Sequence, residues 1–312
     1  MSLELVTVGR VSVDLYAREQ GVGFAEVETF AKSIGGSPTN VAVAAARLGR
    51  RSAVVTKVGA DGFGEYVRSA LAGFGVDASF VGTDATLRTP LAFCEIFPPD
   101  EFPLLFYREP SAPDIQLEEG DLPREEIGSA GLVWVTGTGL SAEPSRSSTL
   151  EALRLRGRRH HTVLDLDFRP SLWERPEEAP ALYREALGLA TVAVGNAAEA
   201  AVAVDAGSAR EAAAALLELG AELAVVKLGA EGVLAVAADE EVEAAPITVE
   251  VVNGLGAGDA FGGALCHGLL AGWELERTIR YANAAGALVA SRLGCADDMP
   301  TSEEVEELLC SA

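Results

Sequence analysis

A glycine-rich turn followed by an aspartate is the stretch of the sequence whose residue types most directly suggest chemistry. An apolar, β-branched run at residues 251–253 leads into Gly256-Ala257-Gly258, and small and apolar residues resume at helical spacing after Asp259. This pattern predicts a strand, a tight turn and the N-terminus of a helix, where unpaired N–H groups and the positive end of the helix dipole converge. Because the turn carries almost no side-chain bulk, an anion could approach those N–H groups closely.

Asp259, in the first turn of the predicted helix, suggests a base beside this anion site. Capping alone would be served as well by Ser or Thr. A carboxylate there can take the proton of a hydroxyl group while the amides hold a phosphoryl group. No Gly-Lys-Ser/Thr follows, which excludes a Walker A loop, and Gly254, Gly256 and Gly258 do not form a dinucleotide-binding fingerprint. The alternative interpretation is a glycine-rich turn between packed elements.

The run Gly256-Ala257-Gly258-Asp259-Ala260-Phe261 resembles the C-terminal signature of the ribokinase-like (phosphofructokinase B) sugar kinases. The resemblance covers essentially the whole chain. It implies that Asp259 is the catalytic base, that the amides before it form the anion hole, and that ATP and Mg²⁺ are the cofactors, with a monovalent cation as a further candidate. It also implies a single ribokinase-like domain over residues 1–312.

Elsewhere the chain alternates strand and helix patterns, which predicts an α/β fold with a mostly parallel central sheet and helices on both faces. Residues 89–107 differ, since two alternating runs around a Pro-Pro-Asp turn predict an inserted β-ribbon. The family resemblance implies a three-layer α/β/α core plus a small β-sheet lid from about residues 11–34 and 89–110. It further implies that this lid covers the sugar site and joins two copies of the chain as a homodimer.

The predicted sugar-binding residues lie near the N-terminus. Gly35 and Gly36 open a helix, with Ser37 expected as its N-cap, and the two glycines would let the backbone approach a polyol. The amide of Asn40 can donate to and accept from hydroxyl groups. Asp14, which follows the first strand, matches a position that the resemblance assigns to the sugar. The alternative for the glycines and Asn40 is an ordinary capping turn.

Asn196 and Glu199 form an Asn-x-x-Glu pair just after a predicted strand. One helical turn places both on one face, where they could order Mg²⁺ and its waters. The motif resembles the metal-linked pair of the sugar kinases, which acts through water. As helix-start residues alone, the two would be unremarkable.

A second loop, Lys227-Leu228-Gly229-Ala230-Glu231-Gly232, follows another predicted strand and resembles the nucleotide loop of the family. Gly229 and Gly232 would let the loop lie against the nucleotide. Asn283 falls where the resemblance implies the adenine pocket, although a helix face of small residues is usually packing.

Two arginines narrow the expected substrate. Arg108 ends the predicted ribbon and Arg169 follows a core strand, and both are expected in the cleft. A neutral sugar needs no guanidinium, whereas a sugar acid benefits from a forked donor to its carboxylate. The sequence therefore favours phosphorylation of a keto sugar acid, with another keto acid, a broader range of sugars or a non-catalytic sugar-acid sensor as alternatives. The alternative is that the two arginines form salt bridges with Glu109 or Asp167 at the rim of the cleft and do not bind the substrate.

The composition excludes some classes of protein. The formal net charge is −23, from 24 Lys and Arg against 47 Asp and Glu, which argues against nucleic acid and anionic membranes as partners. No run of about eighteen apolar residues occurs, the first residues lack the features of a signal peptide, and the four cysteines show no Cys-x-x-Cys spacing. We therefore expect a cytoplasmic protein.

Overall fold

A computed structural model describes residues 2–159 and 161–311, and Met1, His160 and Ala312 lie outside the described residues. The strands within this part of the chain are β1 (Leu5–Val8), β2 (Ser12–Ala17), β3 (Phe30–Gly35), β4 (Ser52–Gly59), β5 (Val81–Asp84), β6 (Leu91–Cys94), β7 (Leu104–Tyr107), β8 (Leu132–Thr136), β9 (His161–Asp165), β10 (Val192–Asn196), β11 (Leu223–Lys227), β12 (Val233–Ala237) and β13 (Glu241–Ala244). The α-helices are α1 (Ser37–Arg47), α2 (Gly62–Gly73), α3 (Arg124–Ser129), α4 (Ser145–Arg156), α5 (Ala179–Leu187), α6 (Ala197–Val204), α7 (Ala209–Glu218), α8 (Ala257–Ala271), α9 (Leu275–Ala290) and α10 (Ser302–Ser311).

Nine of the strands form one large sheet in the order β13-β12-β11-β10-β9-β8-β1-β4-β5. All neighbouring strands from β11 across the sheet to β5 pair in parallel. Strand β12 runs antiparallel to both of its neighbours, β11 and β13. The predicted α/β fold with a mostly parallel sheet is therefore confirmed. Strands β5 and β13, at the two edges, are short and were not predicted from the sequence.

Helices cover both faces of this sheet because successive strand residues point to opposite sides. In β8, Leu132 and Trp134 belong to the apolar core that includes residues of α1, α2, α8 and α9, while Val133 and Val135 belong to the core that includes residues of α3 to α7. Each face thus has its own continuous apolar core. Within the described residues, no helix combines the length and the apolar character needed to cross a bilayer.

The parallel strands bring their carboxyl ends to one edge of the sheet. At that edge β1 leads to Arg10, β9 to Asp167, β10 to Asn196 and β11 to Lys227. In open α/β sheets, ligands bind along this edge. Side chains far apart in the sequence are therefore gathered where a ligand would lie.

A second sheet, in the order β3-β2-β6-β7, stands beside this edge. Both segments predicted to form the lid contribute strands to it, with β2 and β3 from the first and β6 and β7 from the second. The alternation of β2 directs Ser12, Asp14 and Tyr16 toward the same cavity that the large sheet borders. The function of this sheet as a lid stays a prediction.

Two local predictions were wrong. Residues 251–253 form no strand, because β13 ends the sheet at Ala244 and the chain then crosses the cleft, with the amides of Val252 and Asn253 bonded to the carbonyl of Ala290. Without a neighbouring strand, β-branched residues alone do not make one. Ser37 is the first residue of α1 and not its N-cap, since that position is taken by Gly36 at φ 96°.

Helices α1 and α8 pack closely because α8 carries glycine where they touch. A methyl group at Gly263 would lie 2.3 Å from Cβ of Ala44 and 2.9 Å from the amide nitrogen of Ala45. No real Cβ approaches backbone so closely, so any larger residue would push the helices apart. This contact fixes the start of α8, and hence Asp259, relative to α1.

Gly263→Ala should therefore destabilise the protein by about 1–3 kcal/mol, as overpacking a well-packed core does. Gly73→Ala is the matched control, because a methyl group at the exposed end of α2 meets nothing within 4 Å. That control should be neutral or slightly stabilising, since Ala favours the helix over Gly. Urea unfolding midpoints of the two variants measure the difference, and equal midpoints would contradict the close packing.

Candidate active site

A cavity of about 690 Å³ lies between the carboxyl edge of the large sheet and the small sheet. Its size falls in the range of small-molecule sites. All but two of the residues predicted to act in binding or catalysis line it, namely Asp14, Gly36, Asn40, Arg169, Asn196, Glu199, Lys227, Gly229, Gly232, Gly256, Ala257, Gly258, Asp259 and Asn283. The two that do not line it are Gly35 and Arg108.

The glycine-rich turn begins α8 with a left-handed residue. Gly256 has φ 82°, and a methyl group there would lie 2.5 Å from Sγ of Cys295. Glycine is thus required both by the backbone conformation and by the neighbouring thiol. The amides of Asp259 and Ala260 donate to the carbonyl of Gly256, which leaves the amides before them as the unpaired donors of the helix start. The turn has the geometry of an anion hole.

Asp259 is held by the start of a second helix. Nδ2 of Asn40, in α1, donates to Oδ2 of Asp259 at 2.8 Å. Removal from water raises the pKa of Asp259, and the hydrogen bond from Asn40 opposes that rise by stabilising the charged form. The carboxylate is therefore oriented, and more basic than an exposed aspartate.

Lys227 brings positive charge to the anion hole. It ends β11, and a methyl group on Gly258 would lie 3.2 Å from its Nζ atom. The other two lysines are engaged elsewhere, Lys32 over the ring of Tyr66 and Lys57 with Asp121. In the described part of the chain, Lys227 forms no ion pair, so its ammonium is available to an anionic ligand in the cleft.

Acidic groups gather on the floor of the cleft at the ends of β9 and β10. Burial raises the pKa of Asp165 to about 8; the charge of Lys227 opposes this rise, and the nearby carboxylates of Asp167, Glu199 and Asp259 add to it. Oδ2 of Asp165 accepts from Ser37 at 3.2 Å, while its buried Oδ1 has no hydrogen-bond partner within residues 2–159 and 161–311. An unpaired carboxylate oxygen among like charges suits a divalent cation. No group of three or more acidic, His or Cys side chains among the described residues could hold a metal by itself. Magnesium bound through phosphates and water fits this set of donors.

Asn196 and Glu199 form a capping box at the start of α6, with each side chain accepting from the backbone of the other. Glu199 also accepts from Nη1 of Arg169 at 2.9 Å. Both residues line the cleft, so their helix-start role does not remove them from it, and the role toward a hydrated metal stays a prediction.

Asp14 lies on the small-sheet side of the cleft, buried against Gly35. A methyl group on Gly35 would lie 2.0 Å from the Asp14 carboxylate, so this glycine makes room for the aspartate without lining the cavity itself. Ser12 and Tyr16 donate to Asp14 at 2.6 and 2.9 Å. Burial raises the pKa of Asp14, and these two hydrogen bonds counter it.

The two predicted arginines occupy different places. Arg169 lines the cleft and pairs with Asp167 at 3.4 Å and with Glu199. Arg108 lies behind the cleft wall, in an ion pair with Asp114 at 2.5 Å. The pairing of Arg169 with Asp167 is the salt bridge that the sequence left open as an alternative.

Asn283 and the second glycine loop lie at the other end of the cleft. Nδ2 of Asn283 donates to the carbonyl of Ala245 at 2.8 Å, which ties α9 to the segment that follows β13. Gly229 and Gly232 have φ 59° and 98°, values that favour glycine. The loop thus keeps a backbone path that larger residues would not adopt.

The cleft residues that sequence reasoning missed include five with side chains of possible functional importance: Arg10, Tyr16, Asp165, Asp167 and Cys295. A usable signal existed for three of them, because Arg10, Asp165 and Asp167 sit at the carboxyl ends of predicted strands. Cys295 had none, since its contact with Tyr16, at 2.8 Å, spans 279 residues.

Comparison with known proteins agrees with this arrangement. The family model described as pfkB family carbohydrate kinase matches residues 2–302. The chain belongs to the pfkB family of carbohydrate kinases. Among curated relatives, the 5-dehydro-2-deoxygluconokinase of Bacillus subtilis (strain 168) is 32% identical over 314 residues, covering 99% of this kinase and 96% of that protein.

Solved structures support the same fold. A protein of E. coli assigned as a ribokinase II, in complex with ATP and Mg²⁺, superposes with a TM-score of 0.91 over the full length of both chains, at 24% identity. The fructokinase of Vibrio cholerae O395, solved with fructose, ADP and calcium, superposes with a TM-score of 0.86 at 29% identity, covering 99% of this kinase and 100% of that chain. The ribokinase-like fold predicted from the sequence is confirmed.

The contact between Asn40 and Asp259 predicts a shift in the pH profile of the kinase. A base works unprotonated, so kcat/KM should rise with pH through the pKa of Asp259. Asn40→Ala removes a donor to the carboxylate, which destabilises the charged form and raises that pKa further. The acid limb of the kcat/KM profile should therefore move to higher pH.

Asn283→Ala is the matched control for this experiment, because it deletes the same amide at the far end of the cleft. Its acid limb should stay where that of the wild type lies. Superimposable acid limbs for Asn40→Ala and the wild type would contradict the electrostatic role of Asn40.

Proposed function

We propose that this kinase transfers the γ-phosphoryl group of ATP to the primary C6 hydroxyl of 5-dehydro-2-deoxy-D-gluconate, a step of inositol breakdown. The observation that carries the proposal is Asp259, oriented by Asn40 beside the glycine turn and opening on a cleft that also contains Lys227. The name of the curated relatives, which match along nearly the whole chain, supports this substrate.

Residues at different points along the cleft have different roles in the proposed reaction. Asp259 takes the proton of the hydroxyl group, and the amides of Gly256, Ala257 and Gly258 stabilise the charge that develops on the transferred group. Lys227 adds positive charge at the same point. These contacts act mostly by positioning, which is the main source of catalysis in phosphoryl transfer.

Mg²⁺ and the nucleotide fit beside them. Asp165 offers an unpaired oxygen, and Asn196 and Glu199 would hold the waters of the metal, which neutralises phosphate charge when bound. Asn283 would lie near the base of ATP, and Gly229 and Gly232 would let their loop lie along its phosphates and ribose. A monovalent cation is suggested only by the resemblance to the family.

An acidic sugar suits the charges around its end of the cleft. Asp14 offers acceptors and Asn40 offers a donor to hydroxyl groups of the sugar. Arginines lie in the wall of the cleft or just behind it. Because the chain carries 47 acidic residues against 24 basic ones, an anionic substrate needs such local cations to overcome repulsion. The guanidinium groups therefore favour a carboxylate over a neutral sugar.

The outer face of the small sheet supports the proposed homodimer. Leu105 and Tyr107 of β7 expose 44% and 60% of their surface, and they adjoin Phe93 on the same face. Exposed large apolar residues grouped on a sheet face mark interaction sites. A second copy of this chain, apposing the same face, would cover them while leaving the cleft side to the sugar.

A coupled assay of ADP release tests the substrate. With Mg²⁺ present, 5-dehydro-2-deoxygluconate should give the highest kcat/KM in a panel that includes 2-keto-3-deoxygluconate, fructose and ribose. A preference for 2-keto-3-deoxygluconate or for a neutral sugar would reassign the substrate. Nucleotide binding without transfer to any sugar would favour a sensor.

Asp259→Asn provides the catalytic test in the same assay. The variant keeps the hydrogen-bonding shape but cannot accept the proton, so kcat should fall by roughly 10²–10⁴-fold. Binding of ADP, measured by calorimetry, should remain close to that of the wild type. Substantial remaining turnover would remove Asp259 from the role of base.

The dimer is tested by placing charge on the outer face of the small sheet. Leu105→Glu combined with Tyr107→Glu should shift sedimentation from a dimer to a monomer, because the contact must bury both side chains. Phe63→Glu is the matched control, an apolar residue of α2 with 38% exposure outside this face, and it should stay dimeric. A monomeric wild type at micromolar concentration would refute the interface.

A further inference from the structure

Arg108 is engaged away from the sugar. Its side chain is 11% exposed, and its guanidinium pairs with Asp114, whose side chain is fully buried. It borders a separate cavity of about 10 Å³, room for one water, and not the main cleft. The second carboxylate oxygen of Asp114 accepts the amide of Val11 at 2.9 Å. Arg108 therefore fixes, through Asp114, the backbone next to Arg10.

Arg10 lies on the main cleft as well as on the small cavity. Nε and Nη2 both donate to the carboxylate of Asp167, at 3.1 to 3.3 Å. Oδ2 of Asp167 also accepts from Thr138 at 3.0 Å, and the carbonyl of Arg10 accepts from Thr39 at 3.1 Å. Asp167 thus holds the guanidinium along its Nε–Nη2 edge, and Thr39 fixes the backbone of Arg10.

Asp167 is itself held in an uncommon backbone conformation, with φ 29°. Left-handed backbone in a residue other than glycine is sparsely populated, and such residues gather at functional sites. Asp167 also pairs with Nη2 of Arg169, so one carboxylate serves two guanidinium groups. Glu199 is a second partner of Arg169. The two guanidinium groups and the two carboxylates therefore cancel in formal charge, so the cluster offers a ligand hydrogen-bond donors and no net positive charge.

Nη1 is the part of the Arg10 guanidinium left for a ligand of the main cleft, which Arg10 borders. Nη1 makes no hydrogen bond with any residue that the structure describes. Burial raises the pKa of both Asp14 and Asp259, and the charge of Arg10 opposes that rise in both cases. Arg10 borders the same cleft as these two carboxylates, and its positive charge favours their ionised forms.

We propose that Arg10 is the residue that binds the substrate carboxylate and sets the preference for a sugar acid, with Asp167 orienting its guanidinium. Arg108 is a positioning residue that acts on Arg10 through Asp114 and Val11. This assignment rests on the proposed function, because it names the contact that makes an acid the substrate of this cleft. A planar guanidinium held on one edge presents the other as a forked donor, the geometry that a carboxylate accepts best.

The test removes the charge from the protein and from the substrate in turn. The wild type, Arg10→Gln and Arg108→Gln are each assayed with 5-dehydro-2-deoxygluconate and with its carboxamide, which has the same skeleton without the charge. For Arg10→Gln, the loss of kcat/KM on the acid should exceed the loss on the amide by roughly 30- to 1,000-fold, since truncating one partner of a desolvated charge pair has effects of this size. The loss should lie mainly in KM.

Arg108→Gln should weaken both substrates by a similar factor, because a misplaced Arg10 affects the fit of the whole sugar. Equal losses on acid and amide in Arg10→Gln would overturn the assignment, and so would a selective loss of the acid in Arg108→Gln alone. Thermal unfolding and ADP binding check that each variant folds. If Arg10→Gln does not fold, Arg10→Lys gives the same answer, because it keeps the charge but loses the fork, so its preference for acid over amide must still drop.

The assay separates this inference from the proposed function. A wild type that phosphorylates neither 5-dehydro-2-deoxygluconate nor another sugar acid contradicts both. A wild type that phosphorylates the acid, with an Arg10→Gln variant that keeps the full preference for it, contradicts the role of Arg10 alone.

Discussion

The hydrogen bond between Asn40 and Asp259 is the contact on which the rest of the site depends. It joins the first turns of α1 and α8, residues 219 positions apart, and it exists because Gly263 lets the two helices touch. Through α1 it connects the sugar side of the cleft, at Gly36, with the glycine turn at Gly256. In the proposed mechanism, a shift of either helix would move Asp259 away from the hydroxyl that it deprotonates, and misplacement of about 1 Å has large effects on rate.

Charge is the second constraint on this molecule. An anionic nucleotide and a sugar acid must enter a chain with a net charge of −23. The structure meets this requirement by position, since Lys227 lies at the anion hole without a protein counter-ion among the described residues and Arg10 shares one carboxylate with Arg169. Burial and the neighbouring carboxylates favour the neutral form of Asp165 on the floor of the cleft. In our proposal a divalent cation would remove the repulsion among these acidic groups.

The features predicted correctly from the sequence are those that leave a pattern over a few neighbouring residues. Gly256 and Asp259 were identified because a left-handed turn and a helix start both leave a signature over a few residues. The alternation of strands and helices likewise gave the parallel sheet. Residues 251–253 were predicted as a strand from their β-branched side chains, but strand formation needs a partner, and the sheet had already ended at β13.

Contacts between distant parts of the chain lay beyond such reasoning. Arg10 and Asp167 are 157 residues apart, and no local pattern indicates that they pair. Arg108 was expected in the cleft because it follows the ribbon that borders it, whereas the nearby Asp114 draws its side chain behind the wall. The residue type was informative about the charge of the substrate, but the tertiary structure decides which arginine reaches the cleft.

The small sheet links the sugar site to the surface of the molecule. Because side chains alternate along a strand, β2 and β6 turn Asp14, Tyr16 and Ala92 toward the cleft and Leu15 and Phe93 away from it. The same strands therefore shape one face for a polar ligand and the other for an apolar contact. In our proposal a partner on the outer face would stiffen the inner one, since a four-stranded sheet with one face in water has little core of its own. Assembly would then lower the entropy lost on ordering the wall around the sugar, which ties the proposed dimer directly to substrate binding.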